Sequence, residues 1–302
     1  PPRSTLFPYT TLFRSGSPGS GKTLLARALR GILPPLSHEE LLETTLVRST
    51  LGLPFEQGLQ PPFRSVHHTA STVSICGGGS NLRPGEISLA HRGVLFLDEF
   101  PEFRRDLLEG LRQPLEDGEI TVSRATGSAL YPCRVLLVVA ANPCACGWDG
   151  DPAERCVCSH LERERYRRKI SGPILDRIDL HVAVPRLLPE ELVAVESAGG
   201  ESSADVAARV RSARTMQRER WAPHGFSCNA ELPERIVKRS LGLSSDVRPF
   251  LSSMAGRLRL SGRGIGRVLK VARTIADLAQ CENVEIPHVA EALAYRDGGV
   301  WR

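Results

Sequence analysis

Apolar residues in this chain gather in short unbroken runs through the first two thirds and at helical spacing through the last third. Val94-Leu95-Phe96-Leu97 and Val135 to Ala141 show no polar alternation. That is the form of parallel strands buried on both faces. A further strand is predicted over His181 to Val184, after a short helix in Ser171 to Leu180, and Leu24 to Leu29 predicts a helix. Glu119 to Arg124 and Leu130 to Arg134 flank Ala125-Thr126-Gly127-Ser128 and predict a β-hairpin. Pro61 to Gly93 is rich in Gly and His with weak periodicity, and is too long for an ordinary loop. Leu187 to Ser203, with Pro189, Gly199 and Gly200, reads as a linker. Beyond it, Val206, Val210 and Ala213, then Val268, Val271, Ile275 and Leu278, recur at helical spacing. The pattern predicts an α/β domain over 16–186, an insertion at 61–93, a linker at 187–203 and a small helical domain at 204–302. Strands that alternate with helices imply a parallel sheet with ligands at the strand C-termini.

The residues at those strand ends carry the chemistry. Gly16-Ser17-Pro18-Gly19-Ser20-Gly21-Lys22-Thr23 is a complete phosphate loop. Its glycines let backbone N–H groups curl around a polyphosphate, Lys22 supplies a charge for the β- and γ-phosphates, and the Thr23 hydroxyl suits Mg²⁺. The following helix would turn its N-terminus to the anion. Asp98 and Glu99 end the 94–97 run, where Asp98 would hold Mg²⁺ through water and Glu99 would polarise the attacking water. Pro143 stops the 135–141 run and leaves the Asn142 amide at its tip, within reach of a γ-phosphate; Asn before Pro is also a common turn starter. Arg177, set between carboxylates, is either a surface ion pair or an arginine finger for a neighbouring subunit's ATP.

Together these residues resemble the helix-2-insert branch of the AAA+ superfamily. Phe63-Arg64-Ser65-Val66-His67-His68-Thr69, Gly77-Gly78-Gly79-Ser80, Arg83 to Gly93, Ser171 to Leu180 and Val271 to Leu278 are similar to the magnesium-chelatase-subunit-like proteins of the ComM/YifB type, competence-associated bacterial helicases. The resemblance implies an AAA+ P-loop ATPase domain with a parallel sheet and an all-α lid, assembled as a ring homo-oligomer, a hexamer, that uses ATP and Mg²⁺ to move along DNA. Asn142 then takes the sensor position. Arg263, in the helix opened by Ser261-Gly262, takes the second-sensor position touching the γ-phosphate in cis, with Arg267 one turn on as runner-up. The insert and the hairpin would project into the ring channel, so Arg64, His67, His68 and Arg124 are candidate DNA contacts or, alternatively, packing between subunits. Two other function classes remain open: a chelatase-type ATPase that drives metal insertion by a partner protein, and a nucleotide-switched scaffold. Thr5 to Ser15 reads like a translated sequencing adapter, so residues 1–15 are set aside as an assembly scar standing where the resemblance implies a first strand and a preceding domain of the Lon sort. Thr10 to Phe13 suit an extended, half-buried segment that could stand in for that strand.

Composition adds less. With 41% hydrophobic residues among 302, the chain can form real cores. No apolar run reaches membrane length, and a soluble cytoplasmic protein is expected. The net charge of +5 conceals basic clusters in Arg163 to Lys169, Arg209 to Arg220 and Arg257 to Arg273, which are either solvated helix faces or a polyanion groove. Of the eight cysteines, Cys144, Cys146, Cys156 and Cys158 form two CxC pairs in a Gly- and Pro-containing loop, 143–160. They are candidate ligands for a structural Zn²⁺, with His160 as a spare, whereas His67, His68 and His91 lack metal spacing.

Overall fold

Five parallel strands form the central sheet: β1 (Leu12–Ser15), β2 (Phe63–Val66), β3 (Val94–Leu97), β6 (Leu136–Ala141) and β7 (Leu180–Ala183), in the order β2-β3-β6-β1-β7. The computed structural model describes residues 12–54, 58–79, 81–125, 127–170, 172–175, 177–187 and 200–296. β4 (Glu119–Arg124) and β5 (Gly127–Pro132) make the expected hairpin as a separate antiparallel pair, with Thr126 of its turn outside the described residues. The 187–203 linker lies largely outside them as well, as do residues 1–11, Ser80, Ser171 and Asp176.

Strand periodicity divides the core in two. Leu12, Val94, Phe96, Leu136, Val138, Ala140 and Leu180 point to one face of the sheet, while Phe13, Leu95, Leu97, Leu137, Val139 and Ala141 point to the other. The first face packs against α1 (Lys22–Ile32) and against helices of the C-terminal region, in one continuous apolar cluster. The second is covered by α3 (Thr72–Cys76), α4 (Glu86–Leu89), α5 (Arg105–Gly110), α7 (His160–Arg167) and α8 (Gly172–Leu175). Both faces are therefore dry, which is why these runs carry no polar alternation. α2 (His38–Ser49) opens with a capping box formed by Ser37 and Glu40. α6 (Arg112–Asp117) leads into the hairpin.

Two expectations change. Leu12–Ser15 is an interior strand between β6 and β7, and Phe13 is buried, so part of the segment set aside as a scar fills the strand position that Thr10 to Phe13 was suited to. The insertion is shorter than 61–93, because Phe63–Val66 is the edge strand β2; its four residues are too few to show a period.

The C-terminal region is helical, as expected: α9 (Ser203–Trp221), α10 (Glu234–Ser240), α11 (Val247–Arg257), α12 (Gly262–Leu278) and α13 (Ile286–Ala294). Its centre is polar. Asp277, fully buried, accepts hydrogen bonds from Arg220 (2.8 Å), Asn229 (2.8 Å) and Arg273 (3.0 Å). Arg273, 1% exposed, also donates to the carbonyls of Cys281 (2.6 Å) and Glu282 (2.7 Å). Asp277→Ala would leave the buried guanidinium of Arg273 and the partly buried one of Arg220 without their counter-charge, and is expected to destabilise this region by about 3–5 kcal/mol. A denaturant titration of the variant checks this, and an unchanged midpoint would refute it.

Candidate active site

β1, β3 and β6 deliver their C-termini side by side, and every residue of the expected phosphate site follows one of them. The loop Gly16–Gly21 leaves β1, Asp98 and Glu99 leave β3, and Asn142 leaves β6 between them. The strand order reverses at β1, which places the site in the crevice where open α/β sheets bind ligands. Gly19 and Gly21 both adopt φ of 78°, a left-handed conformation that turns successive N–H groups inward. Gly16 is required by close approach: a Cβ there would lie 2.2 Å from the carbonyl oxygen of Val184. Gly21 is the N-cap of α1 and makes no side-chain cap, leaving the helix's first N–H groups available to an anion.

Lys22 folds back to donate to the carbonyls of Gly16 (2.7 Å) and Ser17 (2.8 Å). Burial pulls its ammonium below the ordinary lysine value, with the Asp98 carboxylate opposing that shift. The Thr23 hydroxyl donates to Asp98 Oδ2 at 2.8 Å. A Thr23 oxygen that ligated Mg²⁺ could keep donating this hydrogen bond, so the pair fits an ion held directly by Thr23 and through water by Asp98. Glu99 has φ of 52°, in the left-handed region, and its backbone N–H donates to Asp98 Oδ1. Its carboxylate is half exposed and follows the C-terminal end of β3.

Several residues stand elsewhere than expected. His68 is not free for DNA: its Nδ1 lies 2.8 Å from Glu99 Oε2, in a contact too bent to count as a hydrogen bond. The insertion leaves β2 at the same edge as Asp98 and Glu99, which is why it reaches them. His67 stacks on His68, with ring centroids 4.1 Å apart, and the two imidazoles and Glu99 form a group with metal-ligand spacing that the sequence did not show. Arg64 is held by Glu86 through two hydrogen bonds of 2.6 and 2.8 Å and is no open cation. Arg124 is exposed at the hairpin end. His91 is structural: it accepts from the Arg134 N–H, faces Glu43, and is pulled down to about 4 chiefly by burial.

Arg177 and Arg263 meet at the opposite edge of the sheet. Arg177 precedes β7, which runs parallel to β1 in the register Leu12↔Leu180, so it sits at the N-terminal end of the strands. Its guanidinium lies 2.8 Å from Glu116, and Arg263 lies 3.3 Å from the same carboxylate oxygen. Arg267, one turn on, bonds Asp179 at 2.7 Å and the Arg177 carbonyl. A strand of four residues separates this edge from the chain's own phosphate loop by about 10 Å or more, at roughly 3.3 Å per residue. Arg263 therefore does not reach the γ-phosphate in cis; the packing of the helical region on the sheet face beneath α1 carries the start of α12 to the wrong end. Glu116, on α6, is the partner that sequence reasoning missed, and its single acidic signal could not have revealed it.

Part of each of the first two basic clusters is held in ion pairs. Arg163 and Arg167 pair with Asp149, Arg168 with Glu164, Lys169 with Glu102, Arg209 with Glu201 and Arg220 with Asp277. Among the described residues no helix is long and apolar enough to cross a membrane.

Residues 10–192 match the family magnesium chelatase, subunit ChlI, and residues 200–296 match its C-terminal domain. The chain is 45% identical over 295 residues to an uncharacterized protein of Mycobacterium tuberculosis, Rv2897c, covering 96% of this chain and 58% of that protein. It is 44% identical over 283 residues to the competence protein ComM of Haemophilus influenzae, and 43% identical over 283 residues to the uncharacterized protein YifB of Escherichia coli. Each of those alignments covers 93% of this chain and 54% of the relative, so the chain spans a little over half the length of these proteins.

Proposed function

This chain belongs to the magnesium chelatase subunit ChlI family of AAA+ proteins, in the branch of its ComM and YifB relatives, and from that premise we propose that it is an ATP-hydrolysing ring motor acting on DNA. One observation carries the ring: Arg177 and Arg263 lie together at the sheet edge away from their own phosphate loop. Neither of these two arginines lies at the site of Lys22, Asp98 and Glu99 in its own chain, and a neighbouring copy can supply both. Glu116 holds the pair in the isolated protomer, and a triphosphate of the adjacent copy would take them over. Thr23 and Asp98 would hold Mg²⁺, which would supply positive charge against the β- and γ-phosphates. Lys22 leaves the Gly16 and Ser17 carbonyls to bind phosphate oxygens, Asn142 orients the water or the γ-phosphate, and Glu99 takes the water's proton. The contact with His68 links Glu99 to the insertion, a route by which occupancy of the ring channel can alter hydrolysis.

Action on DNA rests on the competence relative and on the exposed hairpin that carries Arg124. The family resemblance supports branch migration during uptake of transforming DNA, in a cytoplasmic hexamer. Branched duplex DNA is expected to raise steady-state ATP turnover several-fold, and Arg124→Ala to blunt that rise without lowering the basal rate. The second reading, a chelatase-type ATPase serving a partner protein, is favoured by the family match itself. Turnover indifferent to any nucleic acid, but raised by a chelatase partner subunit, would select it.

A further inference from the structure

The loop between β6 and α7 brings four sulfurs from its two ends into one cluster. The Sγ atoms of Cys144, Cys146, Cys156 and Cys158 all lie within 4.8 Å of one another, and all four are free thiols. Cys144 is 3.3 Å from Cys146 and 3.7 Å from Cys156, and Cys146 is 3.6 Å from Cys156. Zinc bound by four thiolates at about 2.3 Å spaces them by about 3.8 Å along each edge of the tetrahedron, so these sulfurs need only small shifts. The Cys146 backbone N–H donates to Cys158 Sγ at 3.4 Å, support of the kind that thiolate ligands need. Among the described residues no carboxylate or imidazole joins the group, His160 included. With no ligand position left for water, the site is structural and not catalytic.

The surroundings say what the ion would hold in place. Asn142 is two residues before the first ligand. Gly147, with φ of 89°, sits so close to the phosphate loop that a Cβ there would lie 2.7 Å from Pro18. Asp151 meets the Ser17 hydroxyl, and Asp149 takes Arg163 and Arg167 from α7. Between Asn142 and Ser159 the loop has no helix or strand to order it. Ordering each such residue costs about 1–2 kcal/mol in backbone entropy, and a cross-link between the loop's two ends lowers that cost.

We propose that Cys144, Cys146, Cys156 and Cys158 bind one Zn²⁺, which clamps the 143–158 loop against the phosphate loop and so makes nucleotide binding depend on the metal. Binding displaces the four thiol protons to solvent and involves no redox change. The coupling rests on the phosphate-site reading above, whereas the metal site does not.

Metal analysis of the whole chain, purified without chelator, is expected to return about one zinc per chain, and Cys144→Ser or Cys156→Ser to lose it. Because such variants can fail to fold, exchange into Co²⁺ gives a second readout: thiolate-to-cobalt charge transfer and the intense visible bands of a tetrahedral ion. Removing zinc from the wild-type chain is expected to weaken binding of a fluorescent ATP analogue by about tenfold to a hundredfold, the scale of a small misplacement of positioning groups. Four reagent-accessible thiols in a folded, metal-free chain would overturn the site, and bound iron would overturn the choice of zinc. Zinc whose removal leaves nucleotide affinity unchanged would overturn the clamp. A chain that holds zinc yet binds no nucleotide in any state would overturn the phosphate-site reading, and the clamp with it, while supporting the metal site.

Discussion

Glu99→Gln is expected to reduce ATP turnover by about 10²–10⁴-fold, the contribution of a positioned general base, while the nucleotide stays bound. Glutamine keeps the size of the side chain and removes only its ability to take a proton. The substitution leaves intact the Thr23–Asp98 pair at 2.8 Å and the phosphate cradle of Lys22, Gly19 and Gly21, so binding should survive. The backbone at Glu99 already accepts a left-handed conformation, in which glutamine is no worse than glutamate. Single-turnover hydrolysis and the nucleotide retained through gel filtration check both halves. A variant that hydrolyses ATP at the wild-type rate would place the base elsewhere.

Arg177→Ala is expected to lower turnover by about 10³–10⁵-fold, the range for arginine fingers, although the residue lies at the far edge of its own sheet. A lysine should not rescue it, since a point charge does not reproduce the planar fork. The decisive measurement mixes protomers. Arg177→Ala chains retain an intact phosphate site and Glu99→Gln chains retain an intact arginine, so the two together should recover activity that neither has alone. Failure of the mixture to exceed its components, in a preparation shown to co-assemble, would remove the shared-site mechanism.

The placement of the candidate phosphate-site residues was largely legible in the chain. Asp98-Glu99 and Asn142 each follow a continuous apolar run, Gly16 to Thr23 is marked by its own glycine pattern, and each is placed by the end of one strand and the turn after it. Such placement is local: a strand buried on both faces must end at the sheet's edge, and its next residue is exposed there. The helical C-terminal region was legible for a similar reason, through its periodicity. Strand β1 was harder to recognise, because four residues of an adapter-like stretch carry little pattern, yet Phe13 fills its core position.

Four arrangements were not legible. Arg64 binding Glu86, His68 touching Glu99, Arg177 sharing Glu116 with Arg263, and the closure of four sulfurs within 4.8 Å all join residues far apart in the chain or across a structureless loop. The CxC spacing raised the last of these as a candidate but could not bring its two halves together. Periodicity says which side of a helix is apolar, not which face or end of the sheet that side will meet. The sequence alone determined which residues make up the candidate phosphate site and most of the elements that bear them, because backbone sterics and burial act residue by residue. The tertiary structure decided that α9 packs on α1 and α12 on α9, with the start of α12 at Glu116 and Arg263 away from its own phosphate loop, because one continuous apolar cluster had to be buried among them.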